Sequence, residues 1–129
     1  MPPSESDVAN AMALVTPAAI GRDTALYVHP MTWASLDSGC RCGVDLPAGA
    51  AGAYKGFPVF TIPSMAYNTS GCVGVFGDLK RGLGLGLGAL DIRVLEQPLA
   101  ASDQTVVQGV LRYGVKTLQS GCIATLTAV

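Results

Sequence analysis

The chain has 129 residues, half of them apolar and only 13% charged, with a net charge of −1 from eight Lys and Arg against nine Asp and Glu. A typical soluble domain carries about a quarter charged residues, so this chain is short of polar groups to cover itself, and its surplus apolar surface is expected either in a well-buried, Ala- and Gly-rich core or at subunit contacts. The cations are scattered, with Lys80-Arg81 the only adjacent basic pair; a nucleic-acid groove needs clustered cations to displace phosphate counterions, so no specific nucleic-acid partner is expected.

The length suits a single domain over residues 1–129. The start, Met-Pro-Pro-Ser-Glu-Ser-Asp, lacks the basic opening and apolar run of a signal peptide. The longest apolar stretch, Leu83 to Leu90, is interrupted by glycines and far shorter than the roughly 20 residues of a membrane-spanning helix. A soluble protein made in the cytoplasm, with no membrane partner, is the expectation.

In chain order, Val8, Ala11, Met12 and Val15 recur at spacings of three and four, which predicts a helix from about Glu5 to Thr16 with Ser4 or Ser6 capping its start. Pro17 breaks it and Gly21-Arg22-Asp23 turns the chain. Ala25 to His29 reads as a short buried strand bounded by Pro30, and Pro30 suits the first turn of a following helix over Met31 to Leu36. Asp37 to Ala53, rich in Gly, Ala and Pro without an apolar period, is the longest expected loop, and a loop of that length is usually functional or flexible.

Phe57 to Ile62 reads as a strand containing Pro58, hence an edge strand or one with the proline at its start. Val73 to Phe76 is a further short strand closed by Gly77-Asp78, with Asp78 a turn residue rather than a metal ligand. Residues 82–88 read Gly-Leu-Gly-Leu-Gly-Leu-Gly, matching neither a dinucleotide fingerprint nor a P-loop. Period-two alternation puts the leucines on one face of a strand and leaves the other bare for close approach of another backbone or subunit. Leu90 to Leu95 follows as a strand, with Asp91 and Arg93 on one face and Leu90, Ile92 and Val94 on the other. The tail gives two long strand-like runs, Thr105 to Lys116 and Cys122 to Ala128, separated by Gln119-Ser120-Gly121. The whole is α+β, a mixed β-sheet flanked by short helices.

Catalytic and metal-binding signals are sparse. Cys40, Cys42, Cys72 and Cys122 lack the paired spacing of a structural zinc site and no secretion signal argues for disulfides, so they read as free thiols acting as small hydrophobes. A cysteine-based metal module would need Cys40, Cys42 and one of the other two to converge. The single histidine, His29, reads as structural. Asn68-Thr69-Ser70 fits a glycosylation acceptor only formally. Neither a nucleophile elbow nor a zincin motif is present. No enzyme activity and no cofactor or metal site is expected.

The ordered set of segments resembles a known family. His29-Pro30-Met31-Thr32-Trp33-Ala34-Ser35-Leu36 resembles the strand-to-helix junction "Asn-Pro-x-x-Trp-x-x-Leu" of tailed-bacteriophage major capsid proteins with the Hong Kong 97-like fold, shared with encapsulins. Lys55-Gly56-Phe57-Pro58-Val59 is similar to that family's "Leu-x-Gly-x-Pro-Val" strand. Val75-Phe76-Gly77-Asp78, Leu90-Asp91-Ile92-Arg93-Val94 and Asp103-Gln104 through Leu111-Arg112 resemble the segments that follow, over roughly residues 10–129. His29 stands where the family has Asn, and the glycine-leucine repeat replaces a more polar stretch.

The resemblance implies the axial domain of a virion shell subunit, part of pentameric and hexameric capsomers, with strands returning toward the peripheral domain. The N-terminal arm, extended hairpin loop and spine helix of full-length members have no counterpart in the matched region. Implied partners are other copies of the chain or of capsid protein, and a chain supplying the missing N-terminal half. An encapsulin-like compartment and a truncated prophage remnant are alternatives of the same fold. Within this reading, Asp37, Arg41, Gly82, Gly84 and Gly86 are the candidate subunit contacts.

Overall fold

The computed structural model describes residues 3–36, 46–67, 71–95, 102 and 104–128. The chain divides into two compact units, Met1–Leu83 with Thr117–Val129, and Gly84–Lys116.

The first unit is built on helix α1 (Glu5–Leu14), strand β1 (Ala25–Val28), helix α2 (Pro30–Leu36), strands β2 (Gly52–Tyr54), β3 (Phe57–Thr61) and β4 (Gly71–Gly77), the single turn α3 (Leu79–Gly82) and the C-terminal strand β9 (Ile123–Ala128). Ser4 caps α1 in a capping box with Asp7. The Ser4 hydroxyl and backbone amide hold the Asp7 carboxyl below its ordinary 3.8, so it stays ionised as the cap's acceptor at neutral pH. The predicted stripe is present: Val8, Ala11 and Val15 are buried, and Met12 packs against the core. The helix stops at Leu14, and a 3-10 turn over Pro17–Ala19 follows, because Pro17 cannot donate to a continuing helix.

The five strands run in the order β2-β3-β1-β4-β9. Only β1 and β3 are parallel; every other pair is antiparallel. The register lines up one transverse row, Gly52-Val59-Leu26-Phe76-Ala124, across all five strands. Val59, Leu26 and Phe76 in that row are fully buried, and burial of side chains this size stabilises the fold by about 1.5–3 kcal/mol each. A second row, Val28-Gly74-Leu126, lies on the same face. A β-carbon on Gly74 would come within 2.8 Å of Leu126 Cδ1 and 3.0 Å of Val28 Cγ1, so the small residue lets its two large neighbours meet. Helix α1 lies against β9 and β4. Trp33 of α2 sits where a β-carbon on Gly52 would be 2.7 Å from Cζ2 of its indole. On the opposite face Tyr27 and Phe60 stack with centroids 5.5 Å apart.

Two expectations need correction and a third is narrowed to one of its alternatives. Pro58 does not mark an edge: β3 lies between β2 and β1, and the proline falls one residue before pairing to β1 starts at Leu26-Val59, which is the start-of-strand alternative. The expected loop to Ala53 contains the beginning of β2. That strand exists because Lys55 (φ 48°) and Gly56 (φ 87°) both adopt positive φ and form a two-residue hairpin turn onto β3. The expected strand Thr105 to Lys116 is two strands, β7 (Val106–Val110) and β8 (Tyr113–Thr117), because the first pairs with β6 (Asp91–Leu95) and the second with β5 (Leu83–Leu87); Leu111 and Arg112 carry the change of partner.

The end of β4 is the tightest point. Gly77 has φ 143° and a side chain there would run into the carbonyl of Cys122. Next to it the Asp78 amide donates to that same carbonyl at 3.1 Å, and the buried Asp78 carboxylate accepts from the amides of Lys80 and Arg81 at 3.1 and 3.3 Å. Gly77→Ala is expected to lower unfolding free energy by about 2–4 kcal/mol, whereas Gly21→Ala, with open space around the added carbon, changes it by less than about 0.5 kcal/mol. Urea denaturation of the two variants checks the contrast; equal losses would remove the special role of Gly77.

Candidate functional site

The second unit, Gly84–Lys116, is formed by two two-stranded sheets, β5-β8 and β6-β7. No described residue from 84 to 116 is buried. In β6-β7 the antiparallel register pairs Val94 with Val107 and Ile92 with Gly109, while Arg93 faces Gln108. Alternation therefore gives the pair two unlike faces. One carries Asp91 and Arg93, joined by an ion pair with Arg93 Nη2 2.7 Å from Asp91 Oδ2 and Nε 2.8 Å from the same oxygen. The other carries Ile92, Val94 and Val107, which are 62%, 58% and 64% exposed. In β5 and β8, Leu85, Leu87, Tyr113 and Val115 are also exposed.

Scattered exposed apolar residues are ordinary, but a contiguous set on one element marks an interaction surface. A two-stranded ribbon is at best marginally stable alone, and this one has no buried side chain among its described residues to hold it. The face of Ile92, Val94 and Val107 is chemically suited to pack against another apolar face.

The candidate contacts read from sequence fall into three settings. Asp37 and Arg41 lie outside the described residues, as do Cys40, Cys42 and the Asn68-Thr69-Ser70 triplet. Gly84 and Gly86 lie on β5, with Gly84 half-buried and Gly86 exposed; a β-carbon on Gly86 would meet nothing nearer than the Gly114 carbonyl at 3.8 Å. Gly82 is buried at the end of α3, where a side chain would collide with Ile123. Its carbonyl accepts from the amides of Leu118 at 2.7 Å and Gln119 at 3.4 Å. The structure thus gives Gly82 an internal packing role and brings Gly84 and Gly86 together on one strand. The sequence pattern puts Ile92 and Val94 on one face of β6, but it neither adds Val107 to them nor marks the face as a contact. The signal for that face is the clean alternation in Asp91 to Leu95, which is the pattern of any strand with one covered face.

Other chemistry is thin. Cys122 is buried, its thiol directed at Gln119 Oε1 at 3.2 Å, and Cys72 is exposed, its thiol 3.4 Å from the Gly74 carbonyl. Among the described residues no group of three or more His, Cys, Asp or Glu is placed to hold a metal. A cleft of about 540 Å³ in the first unit, beside the Gly21–Thr24 turn, has Arg22 and Asp23 as its charged lining residues among those described. No helix among the described residues is long and apolar enough to cross a membrane.

No family model matches the sequence, and no curated protein matches it. Among solved structures, the fold is similar to that of a chain from the capsid of an empty GTA particle computed with C5 symmetry, with a TM-score of 0.69 and 17% identity. The match covers 97% of this chain and 44% of that one. The class so defined is an α+β fold with a five-stranded mixed sheet and few short helices, shared with a capsid protein. This chain spans less than half the length of that capsid chain.

Gly82→Val is expected to lower unfolding free energy by about 1–3 kcal/mol by forcing Ile123 aside, while Gly86→Val shifts it by less than about 0.5 kcal/mol. Thermal melts of the two proteins separate the packed glycine from the open one, and similar losses would show that they are equivalent.

Proposed function

We propose that this chain is a structural shell protein: the axial-domain portion of a major capsid protein of tailed-bacteriophage type, with the Hong Kong 97-like fold, acting in the virion as a subunit of pentameric and hexameric capsomers. The observation that carries the reading is the fold shared with a capsid chain over 97% of this sequence. The open apolar face of Ile92, Val94 and Val107 supports it, because a shell subunit must bury such a face against other capsid polypeptide, either further copies or a chain supplying the N-terminal half. On this reading the protein is not an enzyme, and its chemistry is apolar packing.

The test is light scattering on a sizing column followed by negative-stain microscopy of the same fractions. Wild type is expected to form oligomers, rings, sheets or closed particles. The triple variant Ile92→Ser, Val94→Ser, Val107→Ser is expected to remain a monomer and to keep the sheet unit's melting temperature, because all three side chains are already open to solvent. A wild type that stays monomeric at every concentration points to an axial domain that needs a chain supplying the N-terminal half to assemble, and a variant that assembles as well as wild type overturns the role of the apolar face.

A further inference from the structure

Helix α2 begins with an unusual cap. The carbonyl of His29 accepts the first helical hydrogen bond, from the Trp33 amide at 3.0 Å, which makes His29 the capping residue and Pro30 the first residue of the helix. The His29 side chain completes the cap: its Nδ1 accepts the Met31 amide hydrogen at 3.1 Å. Capping is normally done by Ser, Thr, Asp or Asn, whose acceptor oxygens are present at any neutral pH. An imidazole nitrogen is an acceptor only while it is unprotonated. The ring is also fixed in place, stacked on Tyr67 with centroids 4.7 Å apart and planes 15° from parallel.

We infer that His29 is a proton-sensitive helix cap. When the imidazole is neutral, with its proton on Nε2, Nδ1 satisfies the Met31 amide. When a proton binds at Nδ1, the acceptor is lost, the amide is left without its partner, and a positive charge stands against the N-terminal end of the helix, where the backbone dipoles also favour negative charge. The first turn of α2 is therefore held at higher pH and loosened as the imidazole protonates. Imidazole side chains exchange this proton within roughly pH 5–8, where an Asp or Asn cap would not respond.

Little other charge lies in the elements around this cap, although β2, packed on Trp33, brings Tyr54 and its turn residue Lys55, both of classes that titrate above about pH 8. Segments 24–36, 57–77 and 117–129, which include β1, α2, β3, β4 and β9, contain no Asp, Glu, Lys or Arg, and His29 is the sole histidine of the chain. The other titratable side chains in those elements are Tyr27, Tyr67, Cys72 and Cys122, of classes that titrate above about pH 8. The sole tryptophan, Trp33, lies one turn into the same helix, packed where Gly52 leaves room for its indole. Any loosening of the first turn is thus reported by a unique fluorophore and reaches the contact that seats β2. The inference does not depend on the shell reading.

The experiment follows Met31 amide exchange by NMR, corrected with amides of β4 and β9, and Trp33 emission, from pH 8 to pH 5. Wild type is expected to lose roughly fivefold in Met31 protection, the size of one typical helix cap, in a single-proton transition, with a coincident change in Trp33 emission. His29→Asn keeps an acceptor that does not titrate and is expected to stay protected and flat across the range. His29→Ala is expected to be flat and unprotected. A flat wild-type profile, a transition that survives in His29→Asn, or full protection in His29→Ala would overturn the inference.

Discussion

The structure depends on one backbone junction, at which the chain leaves the sheet unit after Gly82 and returns at Leu118. A single carbonyl, that of Gly82, takes hydrogen bonds from Leu118 and Gln119. One turn away, the Cys122 carbonyl takes the Asp78 amide across a gap that only a glycine at position 77 leaves open. The Asp78 Oδ1 then accepts from the Lys80 and Arg81 amides of the α3 turn, giving two orphan donors a buried partner. Because this junction fixes where β9 begins, it also fixes the pairing of Ile123 with Gly77 and of Ala124 with Phe76. With β9 slipped by one residue, Ala124 and Leu126 would leave the core and their outward neighbours would enter it.

The shortage of charge in the composition has a spatial meaning. Within the sheet unit apolar residues behave as a core should: α1, α2 and one sheet face bury Val8, Leu26, Trp33, Leu36, Phe76 and Leu126 together. Within residues 84–116 the same kinds of residue stay open. The buried cluster of the sheet unit does not include Ile92, Val94 or Val107, which stay more than half exposed. The ribbon of β6 and β7 thus has two chemically unlike sides, one apolar and one carrying the Asp91–Arg93 ion pair.

Much of the sheet unit was legible in the sequence because its signals are local. The spacing of Val8, Ala11 and Val15, the Ser4 cap, the Pro30 start of α2 and the Gly77-Asp78 stop each act within a few residues. What the sequence hid is set by partners distant along the chain. The tripeptide Gly52-Ala53-Tyr54 has no strand pattern of its own and becomes β2 only because Lys55-Gly56 folds it onto β3. The run from Thr105 to Lys116 is uniformly strand-like, and its break at Leu111-Arg112 comes from β6 and β5 claiming its two halves. For the candidate site, period-two alternation matches the strand β5 over Leu83–Leu87, but Gly82 belongs to the α3 turn and Gly88 lies beyond the strand. It had no means of telling that Gly82 is packed against Ile123 while Gly86 is open, because steric close approach is made by a residue some forty positions later.

That same distinction explains how a fold is shared at 17% identity. The positions that shape the sheet unit are pairs of unequal size: Gly52 beside Trp33, Gly74 between Leu126 and Val28, Gly82 under Ile123. Each pair demands that the two volumes together fill the gap, and interiors tolerate exchange of the individual residues when total volume and polarity pattern are kept. A large residue can therefore change sides with its small partner, or both can change together, without moving the strands. Strand order, register and the places where backbone must approach backbone are far less free, since a change there misaligns a whole row of the sheet. The similarity of this chain to that capsid chain is accordingly one of backbone course, at 17% identity.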